Sequence, residues 1–156
     1  MRKKSTAVFT AILSAALLWG GVPAAAQPTV EPNVVVSDSN YVDSPRLQYL
    51  SSVFTDLTIN GNRADCQGNF TTFKNVQVDL TVTLQRSRIN TSTDSSWSDV
   101  TWWSMTWTGP CQRILNRSYS GLTSGYYYRV KTTATARNGN TPLETVVVYS
   151  AVSYYG

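Results

Sequence analysis

The stretch VQVDLTVTLQR, Val76 to Arg86, decides the fold. Val76, Val78, Leu80, Val82 and Leu84 alternate with Gln77, Asp79, Thr81, Thr83 and Gln85. A period of two puts the five apolar side chains on one face of an extended strand and the polar ones on the other, and no helical phase reproduces it.

The same pattern continues on both sides. Upstream, VFTDLTI places Val53, Thr55, Leu57 and Ile59 on one face, and Asn60-Gly61 is a strong hairpin signal into RADCQGNFT. There Ala64, Cys66, Gly68 and Phe70 share a side. Downstream, a Ser/Thr/Asn-rich loop over Ser87–Ser96 leads to the aromatic strand WSDVTWWSMTW, where a bulge is expected, and Gly109-Pro110 ends it. CQRILNRSY, YYYRVKTTATAR and ETVVVYSAV follow, the last two joined by a turn at Asn138-Gly139-Asn140. Seven strands with turn signals between them predict an all-β, seven-stranded antiparallel β-sandwich over residues 47–156.

The start of the chain reads differently. Arg2, Lys3 and Lys4 precede a mostly apolar run from Ala7 to Trp19, and Ala24-Ala25-Ala26 stands before Gln27. That is the pattern of a cleaved signal peptide over 1–26, which predicts a secreted, extracellular protein with no integral membrane segment after cleavage. The apolar run is short of the roughly 20 residues that a spanning helix needs. Residues 27–46, with three prolines, read as an extended or disordered leader, in which Val34–Val36 could add an edge strand.

The whole chain carries 13 basic and 9 acidic residues. The signal holds three of the basic residues and none of the acidic ones, so the remainder has a net charge near +1. Nucleic acid and anionic membranes are therefore not expected partners. Cys66 and Cys111, an even count in an exported chain, predict one disulfide.

No histidine is present, which removes Ser-His-Asp and Cys-His mechanisms and the usual zinc and haem ligand sets. After the signal the only glutamates are Glu31 in the leader and Glu144 beside a turn. Asp79, Asp94 and Asp99 read as solvated surface charges, and the last two lack the spacing of a calcium loop. The chain is expected to be non-enzymatic, with no cofactor and no metal.

The stretch GLTSGYYYRV, Gly121–Val130, carries a family likeness. Alternation sets Tyr126 and Tyr128 with Val130, Thr132 and Ala134, and sets Tyr127 with Arg129, Lys131 and Arg137 on a face expected to meet solvent. Leu122, Ser124-Gly125 and Tyr128-x-Val130-x-Thr132-x-Ala134 resemble strand F of fibronectin type III domains. That resemblance implies an immunoglobulin-like sandwich in which Tyr128 and Leu122 form a structural tyrosine corner. The longer layout, LTVTLQR with SWSDV and SGYYYRV, resembles uncharacterised small secreted proteins of Gram-positive bacteria. It implies a sandwich and a secreted location, and no particular activity.

Trp97, Trp102, Trp103 and Trp107 are the candidate ligand-binding residues. Trp102 and Trp103 are adjacent, so a regular strand points one inward and one outward. An outward indole would offer a flat apolar surface for a sugar ring, with Asp99, Ser104 and Thr106 nearby to orient hydroxyls. A bulge, or cover from the Ser87–Ser96 loop, would instead make the cluster structural. The expected function is a secreted non-catalytic interaction domain whose partner is a protein or a cell-wall glycan. A carbohydrate-binding module is the alternative, and a secreted toxin or bacteriocin-like effector the second.

Overall fold

The alternating segments pair into two facing sheets. The computed structural model describes residues 33–37, 40–43 and 47–156. The expected signal peptide and the first part of the leader lie outside the described residues.

In chain order the strands are β1 (Asn33–Ser37), β2 (Tyr41–Asp43), β3 (Ser52–Asn60), β4 (Arg63–Thr72), β5 (Gln77–Ser87), β6 (Ser98–Thr108), β7 (Cys111–Ser120), β8 (Tyr126–Asn138), β9 (Thr141–Tyr149) and β10 (Ser153–Tyr155). One sheet runs β1-β9-β8-β5-β6, with β10 added against β8; the other runs β2-β3-β4-β7. The protein is therefore all-β in two layers that do not close into a barrel. The seven expected strands are β3 to β9. Three short strands extend the sheets, and β1 pairs in parallel with β9, so the architecture is not purely antiparallel. Among the described residues no helix is long and apolar enough to cross a membrane.

Hairpins join β3 to β4, β5 to β6 and β8 to β9. At two of these turns Gly61 and Gly139 take φ of 58° and 56°. A side chain is disfavoured in that left-handed region, which is why Asn-Gly marks both turns in the sequence.

The core lies between the sheets. Val78, Leu80, Val82 and Leu84 of β5, with Val130 and Ala134 of β8 and Val146 and Val148 of β9, face Val53, Ala64, Phe70 and Leu115 of the other sheet, all at most 1% exposed. Full burial of each large aliphatic side chain is worth about 1.5–3 kcal/mol before the entropy of ordering it. Two buried hydroxyls sit in this layer and satisfy each other. Thr132 Oγ1 lies 2.8 Å from Thr55 Oγ1, which in turn donates to the Gln67 carbonyl at 3.1 Å. At Gly68 the facing sheet leaves no room for a side chain: any Cβ would stand 2.5 Å from Val82 Cγ2.

The expected disulfide does not form: Cys66 and Cys111 are free cysteines. They lie on paired strands, but Cys66 stands opposite Arg117 and Cys111 opposite Thr72, six positions further along the ladder. At about 3.4 Å per residue that offset is about 20 Å. A disulfide needs Cα atoms within roughly 7 Å. Burial, and then the nearby Asp65 carboxylate, push the Cys66 thiol up to about 12.

Glu144, beside the turn into β9, is fully buried on that strand. Its carboxylate accepts three consecutive backbone N–H groups, from Gln48 at 2.9 Å, Tyr49 at 3.0 Å and Leu50 at 2.8 Å. A buried carboxylate is tolerated only when its lone pairs are occupied in this way. The result fixes the chain just before β3 against the opposite sheet.

Candidate functional site

The candidate tryptophans separate by strand parity. On β6, Trp103, Met105 and Trp107 turn inward and pack at the margin of the core. Trp107 meets Phe70 with ring centroids 6.0 Å apart, and the Arg113 guanidinium lies 5.8 Å from its ring. Trp102 turns outward and is 62% exposed. Trp97, just before β6, is buried and donates its indole N–H to the Thr91 carbonyl at 3.0 Å. The four indoles therefore do not form one surface.

Trp102 stands at the edge of a polar sheet face. The register places it in one rung with Thr83, Lys131 and Tyr149. Ser104, Thr81 and Thr133 form the next rung, and Thr106, Asp79, Thr135 and Thr145 the one after. The bulge expected on β6 falls where the pairing shifts, between Leu84 and Gln85 of β5. The nearby polar groups are largely engaged. Asp99 accepts from Gln85 Nε2 at 2.8 Å. Thr106 donates to Asp79 at 2.7 Å, and Asp79 also pairs with Arg137. Ser104 remains beside Trp102 on the same face.

Tyr127 and Lys131 are half-buried on the face expected to meet solvent, and Arg129 departs from that expectation. It is only 4% exposed. Its guanidinium lies over two rings, 4.3 Å from the Trp97 centroid and 4.1 Å from the Tyr149 centroid. Its Nε donates to Gln85 Oε1 at 2.9 Å and its Nη2 to Asp94 Oδ1. Lys131 Nζ reaches the other Asp94 oxygen at 3.2 Å. The loop between β5 and β6 thus folds down onto the sheet and is clasped there by Asp94 and Trp97. Burial pulls the Asp94 carboxyl up, but the hydrogen bond and charge of Lys131 and the charge of Arg129 outweigh it and hold the group below its ordinary range. Burial pulls Lys131 down, and Asp94 together with Tyr149 more than reverses this, leaving it above its ordinary value. Asp94 is therefore a clasp and not a free surface charge, and Asp79 and Asp99 are likewise partnered. Among the described residues no group of three or more acidic or cysteine side chains could hold a metal ion.

Tyr128 is buried at the start of β8. Its hydroxyl accepts from the backbone N–H of Thr123 at 2.8 Å and donates to the same residue's carbonyl at 3.1 Å. Leu122, also buried, lies in the core beside it.

No family model matches the chain, and no curated protein matches it. Among solved structures it is similar to Spo0M, a sporulation control protein from Bacillus subtilis, with a TM-score of 0.40 and 10% identity over 67% of this chain. The match spans 50% of the Spo0M chain.

Proposed function

We propose that the chain is a secreted, non-catalytic interaction domain on an immunoglobulin-like sandwich, and that it docks its partner along β6. The observation that carries the reading is Trp102, an exposed indole on the outer face of an eleven-residue strand that ends its sheet. An edge strand presents unpaired N–H and C=O groups to an incoming strand, and natural edges are commonly blunted by lysine or proline. Strand β6 has neither. Its inward tryptophans keep it seated while its outward one offers an anchor of the type that dominates docking surfaces.

Two features support the immunoglobulin-like assignment. The strand order is the first: on this reading β3-β4-β7 correspond to A, B and E, and β9-β8-β5 to G, F and C, with β6 beside β5 as C′ lies in variable-type domains. The Tyr128 hydroxyl closes onto Thr123 backbone with Leu122 beside it, the arrangement of a tyrosine corner. Secretion rests on the basic and apolar start of the chain.

The glycan-binding reading is the second, and the same exposed indole favours it, because Ser104 and Thr81 lie beside Trp102 to meet sugar hydroxyls. Sedimentation velocity and tryptophan fluorescence separate the two. Concentration-dependent self-association that Trp102→Lys abolishes supports edge docking. Emission shifts with peptidoglycan or chitin that Trp102→Ala removes support the glycan reading. No response of either kind leaves Trp102 without a role and sinks both.

A further inference from the structure

The outer face of the other sheet carries a second, separate arrangement. Asp56 of β3, Gln67 of β4 and Asn116 of β7 stand opposite one another in a single rung. Among the described residues none of these three side chains has a hydrogen-bond or ion-pair partner. The rungs on either side differ from it and from each other. On one side Thr58, Asp65 and Ser118 are aligned, and Asp65 already accepts from Ser118 Oγ at 2.6 Å and from Arg63 Nε at 2.8 Å. Those bonds hold the Asp65 carboxyl below its ordinary range, Ser118 contributing most and Arg63 next. On the other side Tyr41, Phe54, Asn69 and Ile114 are aligned, with Tyr41 46% and Ile114 50% exposed.

The first two of these rungs border a hollow of about 430 Å³, lined by Asp56, Asp65, Gln67 and Asn116 with Arg63 and Arg117. That volume falls within the roughly 300–1,000 Å³ of small-ligand clefts. We propose that the hollow is a binding site for a neutral oligosaccharide. A carboxylate that only accepts and two carboxamides that both donate and accept match a row of sugar hydroxyls, each of which does both. Neighbouring strands set the three side chains about 4.8 Å apart, so they converge on one or two rings rather than on isolated atoms. Tyr41, Phe54 and Ile114, on the rung just beyond the hollow, would take the C–H face of an adjoining ring. The lining is charge-balanced, Asp56 and Asp65 against Arg63, which pairs with Asp65, and Arg117, so it offers no net field to a phosphate, a carboxylate or a cation. The charge pattern therefore selects a neutral ligand. The site is on the opposite sheet from Trp102 and does not depend on it.

The test is a heteronuclear NMR titration of the full chain with maltohexaose, cellohexaose and chitohexaose. With one of them we expect saturable shifts in the Gln67 and Asn116 side-chain amides and the Asp56 backbone amide. Gln67→Ala and Asn116→Ala should each weaken that binding about tenfold, and Trp102→Ala should leave it unchanged. Both alanine variants alter a solvent-facing side chain, and thermal melting checks that each retains the wild-type fold. The proposal is overturned if no hexasaccharide gives saturable shifts on β3, β4 and β7. It is equally overturned if the shifts cluster around Trp102 or survive both alanine variants.

Discussion

The Arg129 guanidinium lies over the Trp97 ring, 4.3 Å from its centroid, and 4.1 Å from the centroid of Tyr149. A cation is thereby buried on what would otherwise be the wet side of a sheet. Arg129→Lys should cost about 1–3 kcal/mol in urea titrations, because an ammonium cannot lie over two rings or keep the Gln85 hydrogen bond. Trp97 emission should move to the red as the loop lifts. Unchanged stability and emission would mean that the loop is held by something else.

Acid should open the same clasp. The Asp94 carboxyl is held below its ordinary 3.8, so the folded state binds its proton more weakly than the unfolded one. The stabilisation is complete well above that value and is lost as pH falls through the lowered folded value. Trp97 fluorescence should report loop release only on the acid side of about pH 4. Asp94→Asn should show the released signal at neutral pH and no acid transition.

Tyr128→Phe should cost about 1–2 kcal/mol, because it strips the Thr123 N–H and carbonyl of their partner at a half-buried corner. Tyr127→Phe should cost much less. Its ring packs 4.9 Å from Tyr154, and phenylalanine keeps that contact. Equal losses in denaturant titrations would contradict the distinction.

Glu144→Gln should cost about 2–4 kcal/mol, since it replaces an acceptor-only group with one whose NH₂ faces backbone donors. Hydrogen exchange should accelerate first at the Gln48, Tyr49 and Leu50 amides. Protection there equal to wild type would refute the anchoring role.

The thiols give the last test. Native, unreduced protein should carry two free thiols by mass after denaturation and alkylation. Before denaturation Cys66 should resist alkylation, being buried with its thiol pushed up to about 12. Half-buried Cys111 should react first. A single species two hydrogens lighter, with neither residue alkylated, would contradict the register between β4 and β7.

The layout of the long strands was legible because the period of two is a property of the backbone itself. Val78 to Leu84 had one reading, and Asn-Gly fixed the turns. The side of β6 that Trp102 takes was open in the sequence only as a choice of two. Cys66 and Cys111 were misread because both lie on strands that pair, and spacing along the chain says nothing about offset along a ladder. Arg129 was misread for a different reason. Parity correctly puts it on the outer face, but whether that face is wet depends on a loop that local pattern cannot fold. Glu144 did carry a signal. It shares parity with Val146 and Val148, which go inward, and a lone acid in that series marks a buried carboxylate awaiting donors. The rung of Asp56, Gln67 and Asn116 needed three strands in register before it existed at all.

The reach of Glu144 bears on the order in which the molecule can be completed. Gln48 and the carboxylate that holds it are 96 positions apart. In a chain made from its N-terminus, the residues before β3 emerge well before their anchor, which follows 96 positions later. Closing so long a loop late slows assembly. Chains that stop short of β9 would leave that segment loose and the edge of β8 unpaired, open to any aggregation partner or protease. One acid on β9 thus ties the segment before β3 to a strand made much later.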